Sequence, residues 1–415
     1  MKKTKPSKAK FAMNPNIKRL IGIRNSLRRQ VKTKRSEWIE ARKELRVAQE
    51  EAKLEAWSNF VETLEADEDV NKVWRVIKSL DGTPTGSAPN EALCHKGKTI
   101  TTNKAKADVF SKNYANVSSL SFTKEERKTN RDAKKSLSAT SDDAPPVPFT
   151  MGELKHALAK LKRNGAPGAD DIPPSFLKEL GPKALSELLD IFNLCFQAAD
   201  IPQQWRHAII IPLLKAGKPA SEIDSYRPIS LTSCVVKLLE RLISNRLYTL
   251  AENRSWLINQ QAGFRKGYCT EDQILKLVQR ISDGFQKEPS ERTVIALLDY
   301  SKAYDRTWRE RLLQKLIELG APMHLTRWIA AFLRTRTAEV MINDTLSKRV
   351  RMKQGLPQGS VLSPLLFVIF INDILKDLPD DVAASLFADD AAVYASDSKL
   401  ATAQENLQKG VTAIE

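Results

Sequence analysis

The segment LFADDAAVYA, Leu386 to Ala395, is an apolar run broken by two adjacent carboxylates, Asp389 and Asp390. Ionised groups in apolar surroundings cost several kcal/mol each unless opposite charge or hydrogen bonds offset them. A third carboxylate, Asp299, ends the apolar run VIALL. Carboxylates brought together from separate strands are the donor set of a two-metal phosphoryl-transfer site. There, cations about 4 Å apart activate the attacking oxygen and steady the leaving one. Taken singly, an Asp at a strand end is most simply a cap, and an Asp-Asp pair an exposed turn. The order of the remaining motifs favours chemistry. Lys215 follows IIIPLL and Arg227 lies in YRPISL, two cations suited to a triphosphate. In QGLPQGSVLSPLLF, Gly355 and Gly359 permit close backbone approach and Ser363 and Pro364 open a helix, as suits a loop lying against a base and sugar.

The elements that must position these residues are legible in the local patterns. Two strands flank the Asp389-Asp390 turn, TVIALLDYSKAYD reads as strand then turn, and PLLFVIFINDIL as a helix. Upstream, Thr150 and Glu153 have the capping-box spacing ahead of Leu154, Leu158 and Leu161. SELLDIFNLCFQAADIPQQW is an amphipathic helix ended by Pro202, HAIIIPLL a buried strand, and SYRPISLTSCVVKLLERLISNRLYTLAE a loop and long helix. The N-terminal part reads as helix from Ile17 to about Leu80, with Trp38, Leu45, Trp57, Phe60 and Val61 as buried positions. LCHKGKTITTN reads as a hairpin or loop, and TKEERKTNRDAKKSLSATSDDAPPVP as a linker, partly disordered.

Basic residues outnumber acidic ones by 16 over 415 residues, and the first 50 residues hold sixteen basic and four acidic side chains. That asymmetry favours a polyanion, because each Lys or Arg that neutralises a phosphate releases counterions. The four cysteines and four histidines form no CxxC or companion cluster, which argues against zinc. MKKTKPSKAK leads into no apolar signal segment, and VLSPLLFVIFINDIL falls short of the roughly 20 apolar residues a bilayer requires. The expectation is an intracellular protein of nucleus or cytoplasm, not secreted and without a membrane partner.

With NGAPGADDIP, WRHAIIIPLLKAGKP, SYRPISLTSCVVKLLERLISNRL, NQQAGFRKGYCTEDQI, LLDYSKAYDRTW, QGLPQGSVLSPLLFVIFINDI and FADD in this order, the chain resembles a reverse transcriptase of the non-LTR (LINE-type) retrotransposon class, jockey-like in kind. The resemblance runs from about Phe149 to the C-terminus. It implies an α+β right-hand polymerase fold: a basic helical N-terminal region over 1–80, a loop-rich linker over 81–148, fingers over 149–290 and an incomplete palm with an antiparallel sheet over 291–415. It also implies that Asp299, Asp389 and Asp390 hold two Mg²⁺ ions, with Mn²⁺ as the alternative. Lys215 and Arg227 would meet the incoming triphosphate, with Gln358 and Gly359 beside the nucleotide. Tyr304, five residues after Asp299, falls at the steric-gate position, where a ring would exclude a 2′-OH. Arg265 and Lys266 would lie near the template-primer backbone. The implied partners are an RNA template, a DNA primer and deoxynucleoside triphosphates.

The family continues past the FADD hairpin into a further palm strand, a primer grip and a thumb. The chain stops before these, so the expectation is weak primer-template binding and poor extension by this stretch alone. Two other readings share the motifs. One is a catalytically inactive nucleic-acid-binding remnant, and the other a group II intron maturase-type polymerase, which carries a basic splicing domain after the palm. A viral RNA polymerase is disfavoured by Tyr304.

Overall fold

The stretch CVVKLLERLISNRLYTLAEN places apolar residues around most of a helix rather than along one stripe, and such a helix must be surrounded. The computed structural model describes residues 15–29, 34–62, 92–138 and 145–414, which fall into two units, Met1–Thr85 and Gly86–Glu415. In the first unit, α1 (Pro15–Arg29) and α2 (Arg35–Glu62) join through Ile17, Leu20 and Leu45. The single helix expected over Ile17–Leu80 is therefore two helices as far as residue 62. Its continuation, and the side chains of Trp57, Phe60 and Val61, lie outside the described residues.

The second unit opens with the antiparallel hairpin β1 (Leu93–His95) and β2 (Lys98–Ile100), then α3 (Asn103–Val117) and α4 (Lys124–Ser138). Helix α4 occupies sequence read as linker. Its composition hid it, since Ala133 is its one buried residue. Thr123 and Glu126 cap it reciprocally, with N–H to Oε2 at 2.7 Å and N–H to Oγ1 at 3.3 Å. Trp308 Nε1–H donates to Asn130 at 2.7 Å and Arg327 Nε to the Leu137 carbonyl at 2.9 Å, so tertiary contacts hold what local apolar content does not.

Next come α5 (Met151–Ala159), with the Thr150–Glu153 capping box formed, then α6 (Pro174–Lys178), α7 (Pro182–Gln197), β3 (His207–Leu214), β4 (Tyr226–Leu231) and the central α8 (Cys234–Asn253). YRPISL, expected as loop, is the edge strand β4, antiparallel to β3. Pro228 masked it, and an edge strand is where proline is tolerated. The chain continues through α9 (Thr270–Phe285), β5 (Arg292–Asp299), α10 (Ala303–Arg306), α11 (Arg309–Glu318) and α12 (Met323–Leu333). It ends with β6 (Thr337–Ile342), β7 (Thr345–Leu346), β8 (Val350–Arg351), α13 (Ser363–Ile371), β9 (Val382–Phe387), β10 (Asp390–Asp397) and α14 (Leu400–Ile414).

One sheet runs β4-β3-β6-β7, with β8 also on β6, and a second runs β5-β10-β9. The β3–β6 pair is parallel and the other pairs are antiparallel. The larger core forms around α8, where Leu238, Leu242 and Leu247 share one cluster with Phe192 of α7, Leu312 of α11, Trp328 of α12 and Phe367 of α13. Each such side chain contributes about 1.5–3 kcal/mol on burial. Under the three-stranded sheet, Val382, Ala384, Val393 and Ala395 pack with Leu298 and with Leu407 of α14. The alternate face of β5 is open, and Leu297 is 80% exposed. No described helix is long and apolar enough to cross a membrane.

Candidate active site

The β5–β10 register puts Asp390 directly opposite Asp299. Such antiparallel partners stand about 4.5–5.5 Å apart at Cα with side chains on the same face. Asp389 precedes Asp390 in the two-residue turn Ala388-Asp389 that joins β9 to β10, since Phe387 pairs with Asp390. All three carboxylates thus belong to one end of one sheet. Burial above all, then the charges of Asp390 and Asp299, hold the Asp389 carboxyl above the usual carboxylate range, against the opposing pull of its own backbone N–H and of Arg227. Among the described residues, no three His, Cys, Asp or Glu side chains close on a single metal-sized point, so the three aspartates form an open cluster.

The turn carrying Asp389 is held from outside its own hairpin. Ala388 has φ +58, a left-handed conformation unfavourable for alanine. Its N–H donates to Gln261 Oε1 at 2.9 Å, and its carbonyl accepts from Gln261 Nε2 at 3.3 Å. Gln261 is fully buried, and its neighbours extend the grip: Ala262 N–H donates to the Leu386 carbonyl, and Leu386 N–H to the Gln260 carbonyl. The sequence analysis missed Gln261 because a buried glutamine in NQQAGF announces nothing about the hairpin it meets more than a hundred residues later.

Asp299 and Asp389 border a cleft of about 1010 Å³, lined also by Lys215, Arg227, Tyr304, Gln358 and Gly359. That size is at the upper end for small-molecule clefts. Lys215 and Arg227 come together because β3 and β4 pair, with Arg227 opposite Leu213. Lys215 Nζ reaches the Asp224 carbonyl at 3.3 Å, and Arg227 is exposed. Lys218, Lys302 and Arg306 line the same cleft, and Lys302, at φ +57, pairs with Asp224 at 2.7 Å. Its place in DYSKAYD, three residues past Asp299, was the available signal.

The Tyr304 ring stacks on Phe367 at 4.3 Å between centroids and meets Phe264 edge-on at 6.3 Å. Its hydroxyl is buried without a hydrogen-bond partner. Burial first, and the charge of Asp389 second, push the phenol above its ordinary range. A ring clamped between aromatics is a rigid wall.

The loop between β8 and α13 is tied down along its length. Arg309 donates to the carbonyls of Gly355, Met352, Lys353 and Gln354 at 2.8–3.1 Å. Gly355 at φ +81 lies so near the Asp305 carbonyl that a Cβ would come within 2.3 Å of it, and a Cβ on Gly359 within 2.5 Å of the Ser230 carbonyl. The close approach these glycines permit is therefore to neighbouring backbone. At the far end, Glu240 of α8 is wholly buried and accepts from Ser360 Oγ at 2.5 Å, Val361 N–H at 2.7 Å and Leu362 N–H at 3.3 Å, holding the residues just ahead of α13, whose first N–H, of Ser363, donates to Ser360 Oγ at 3.2 Å. Burial raises the Glu240 pKa against those bonds and the Arg336 charge.

Two expected residues sit elsewhere. The Arg265 guanidinium is buried, bidentate on Glu252 at 2.9–3.1 Å and bonded to the Ile258 carbonyl at 3.0 Å. It ties its own loop to α8. Lys266 is exposed, with its ammonium 4.5 Å from the Tyr248 ring centroid. Neither lines the cleft.

A sheet end bearing three aspartates beside a cleft lined by cations is an arrangement suited to nucleotidyl transfer. Residues 214–414 match the family described as reverse transcriptase (RNA-dependent DNA polymerase), and the chain carries a domain of that family. More narrowly, the domain is homologous to the RNA-directed DNA polymerases of jockey-like non-LTR retrotransposons. It is 30% identical over 408 residues to the probable RNA-directed DNA polymerase from transposon BS of Drosophila melanogaster, covering 94% of this chain and 43% of that protein. It is 32% identical over 374 residues to the enzyme from mobile element jockey of Drosophila melanogaster, covering 86% and 39%. The probable polymerase from transposon X-element of the same fly is 29% identical over 367 residues, covering 86% and 39%. The chain thus spans about two fifths of the length of these curated relatives. Reverse transcriptases use divalent metal ions, and the family's work implies a nucleic-acid template and primer with nucleotide substrates.

Proposed function

We propose that this chain is the fingers and part of the palm of a right-hand polymerase that adds deoxynucleotides to a DNA primer 3′-OH on an RNA template, inside the cell. The observation that carries the reading is the pairing of Asp299 with Asp390 next to Asp389, at the mouth of a cleft that also holds Lys215, Arg227, Tyr304 and Gln358. An all-carboxylate donor set suits hard cations such as Mg²⁺, and a cation there would offset the burial, and after it the charges of Asp390 and Asp299, that raise the Asp389 pKa. Two such ions, when bound by Asp299, Asp389 and Asp390, supply activation of the attacking oxygen and stabilisation of the leaving one.

The protein's own groups do the rest. Lys215 and Arg227 hold the triphosphate, and the ring of Tyr304 closes the sugar side against a 2′-OH. Gln358 and Gly359 lie along the nucleotide. The primer oxygen attacks the α-phosphorus, its bond to the β-bridging oxygen breaks, and pyrophosphate leaves. The test is primer extension on an RNA template with Mg²⁺, comparing the chain with Asp389→Asn. The chain should bind primer-template with steep salt dependence and extend it, and the variant should bind equally and extend not at all. Equal extension by the variant would refute the reading, and binding without any Asp389-dependent extension would favour a nucleic-acid-binding remnant.

A further inference from the structure

Basic residues gather a second time, away from the three aspartates. A groove of about 750 Å³ is walled by α4, α11, α12 and β8, and Lys134, Arg309, Arg327, Arg334, Arg351 and Lys353 line it. It shares no lining residue with the cleft of Asp299 and Asp389. Glu310 is the one carboxylate among its described lining residues. Arg309 is buried, with Nε, Nη1 and Nη2 all on backbone carbonyls, so its contribution here is charge. Arg327 Nε donates to the Leu137 carbonyl, and Lys353 Nζ to Ser119 Oγ at 3.2 Å. Arg334 reaches Asp200 at 3.4 Å, a carboxylate it shares with Arg206. Lys134 and Arg351 are exposed and form no ion pair with a described carboxylate. A cleft lined by one sign of charge concentrates ligands of the other sign.

The rest of the lining chooses among polyanions. The volume lies within the small-molecule range, too small to admit a duplex and suited to one strand. No aromatic ring is found among the described lining residues, so bases have no stacking platform and the contacts on offer are to phosphate. Glu310 would repel a phosphate, yet its carboxylate can accept from a hydroxyl. The 2′-OH is the donor that RNA carries along its backbone and DNA lacks. We infer that this groove is an auxiliary site for the backbone of single-stranded RNA, separate from the primer-template cleft. Lys134 and Arg351 hold phosphates there, and Glu310 accepts from a 2′-OH. The site is indifferent to base sequence. It rests on the polymerase reading only in taking the strand to be template RNA outside the cleft.

The experiment follows a fluorescein-labelled single-stranded RNA of mixed sequence, and DNA of the same sequence, binding to the 415-residue chain saturated with a short unlabelled primer-template. The wild-type chain should still bind the RNA, about tenfold more tightly than the DNA, the worth of one hydrogen bond. Lys134→Gln combined with Arg351→Gln should weaken RNA binding by roughly tenfold or more. It should also lower the slope of log affinity against log salt by about 1.4, two phosphate contacts at about 0.7 each. Extension of the short primer should be unchanged. Lys134→Arg combined with Arg351→Lys should keep the affinity, which separates lost charge from a lost fold. Glu310→Ala should abolish the preference for RNA, chiefly by tightening DNA. Loss of RNA binding once primer-template saturates the cleft would overturn the site, as would equal affinity of the wild type and the glutamine double variant. Equal wild-type affinity for DNA would overturn its assignment to RNA. If the chain bound no primer-template yet held RNA through Lys134 and Arg351, the polymerase reading would fall and the groove would stand.

Discussion

Asp299 and Asp390 are cross-strand partners in the β5–β10 ladder, though ninety-one residues of chain separate them. The ladder fixes their spacing through backbone hydrogen bonds from Asp299–Asp390 to Arg292–Asp397, so neither carboxylate can drift without loss of sheet pairing. Replacing Asp299 with Asn keeps the shape and removes one charge. We expect extension to fall by at least about a hundredfold, with melting temperature unchanged or raised because like charges are relieved. Parallel primer-extension and thermal-melt assays check both halves.

Tyr304 separates ring from hydroxyl. Because the hydroxyl is buried with no partner, Tyr304→Phe should leave stability equal or better and ribonucleotide exclusion intact. Tyr304→Ala should cost about 3–5 kcal/mol of stability by opening a cavity beside Phe367, and should reduce deoxy-over-ribo preference by tenfold or more. Competition between the two nucleotides in single-addition assays decides this, and an unchanged preference would remove Tyr304 from its assigned role.

Gln261 satisfies both backbone groups of Ala388. Gln261→Ala leaves a buried N–H and C=O unpaired and a strained turn unsupported, at about 1–3 kcal/mol per group. The expected result is a lowered melting temperature and a fall in the extension rate larger than any change in nucleotide affinity, since the turn carries Asp389 and not the triphosphate ligands. Ala388→Gly, which relaxes the left-handed φ, should recover part of the stability of the Gln261 variant.

Asp305 gives a pH prediction. Burial pushes its carboxyl up to about 6, against the Gln358 hydrogen bond and the Lys302 charge. A folded pKa above the unfolded value means the folded state binds the proton more tightly. Stability is therefore full at low pH and declines as pH rises from about 4 through 6. Asp305→Asn should be neutral at pH 4 and stabilising at pH 8 by on the order of 2 kcal/mol. Denaturant melts at the two pH values test the sign, and a stabilisation confined to low pH would contradict it.

The elements that bear chemistry were readable because each has a local signature: β-branched runs for β3 and β5, the apolar-acidic-apolar pattern for the β9–β10 turn, and the capping box of α5. Helix α4 and strand β4 were not, because one is held by Trp308 and Arg327 and the other conceals its pairing behind Pro228. In the site, residues that would face a ligand could be picked from their types. Those that hold other residues, Gln261, Glu240, Arg309 and Asp305, could not, since their partners are fixed by the fold. Arg265 belongs with these too: its type suggests a phosphate ligand, and only the fold reveals Glu252 beside it.

Glu240 has a bearing on how such sequences can be recombined. The hold it has on Ser360, Val361 and Leu362 comes from a helix 120 residues upstream in the chain, so the glycine-rich loop is not a transplantable module. Placing residues 352–371 in a relative without a carboxylate at the position of Glu240 would leave the Ser360 hydroxyl and the Val361 and Leu362 amides unanswered in a dry interior. Exchange between lineages should therefore preserve the two segments as a linked pair, and crossover points that split them should yield insoluble protein.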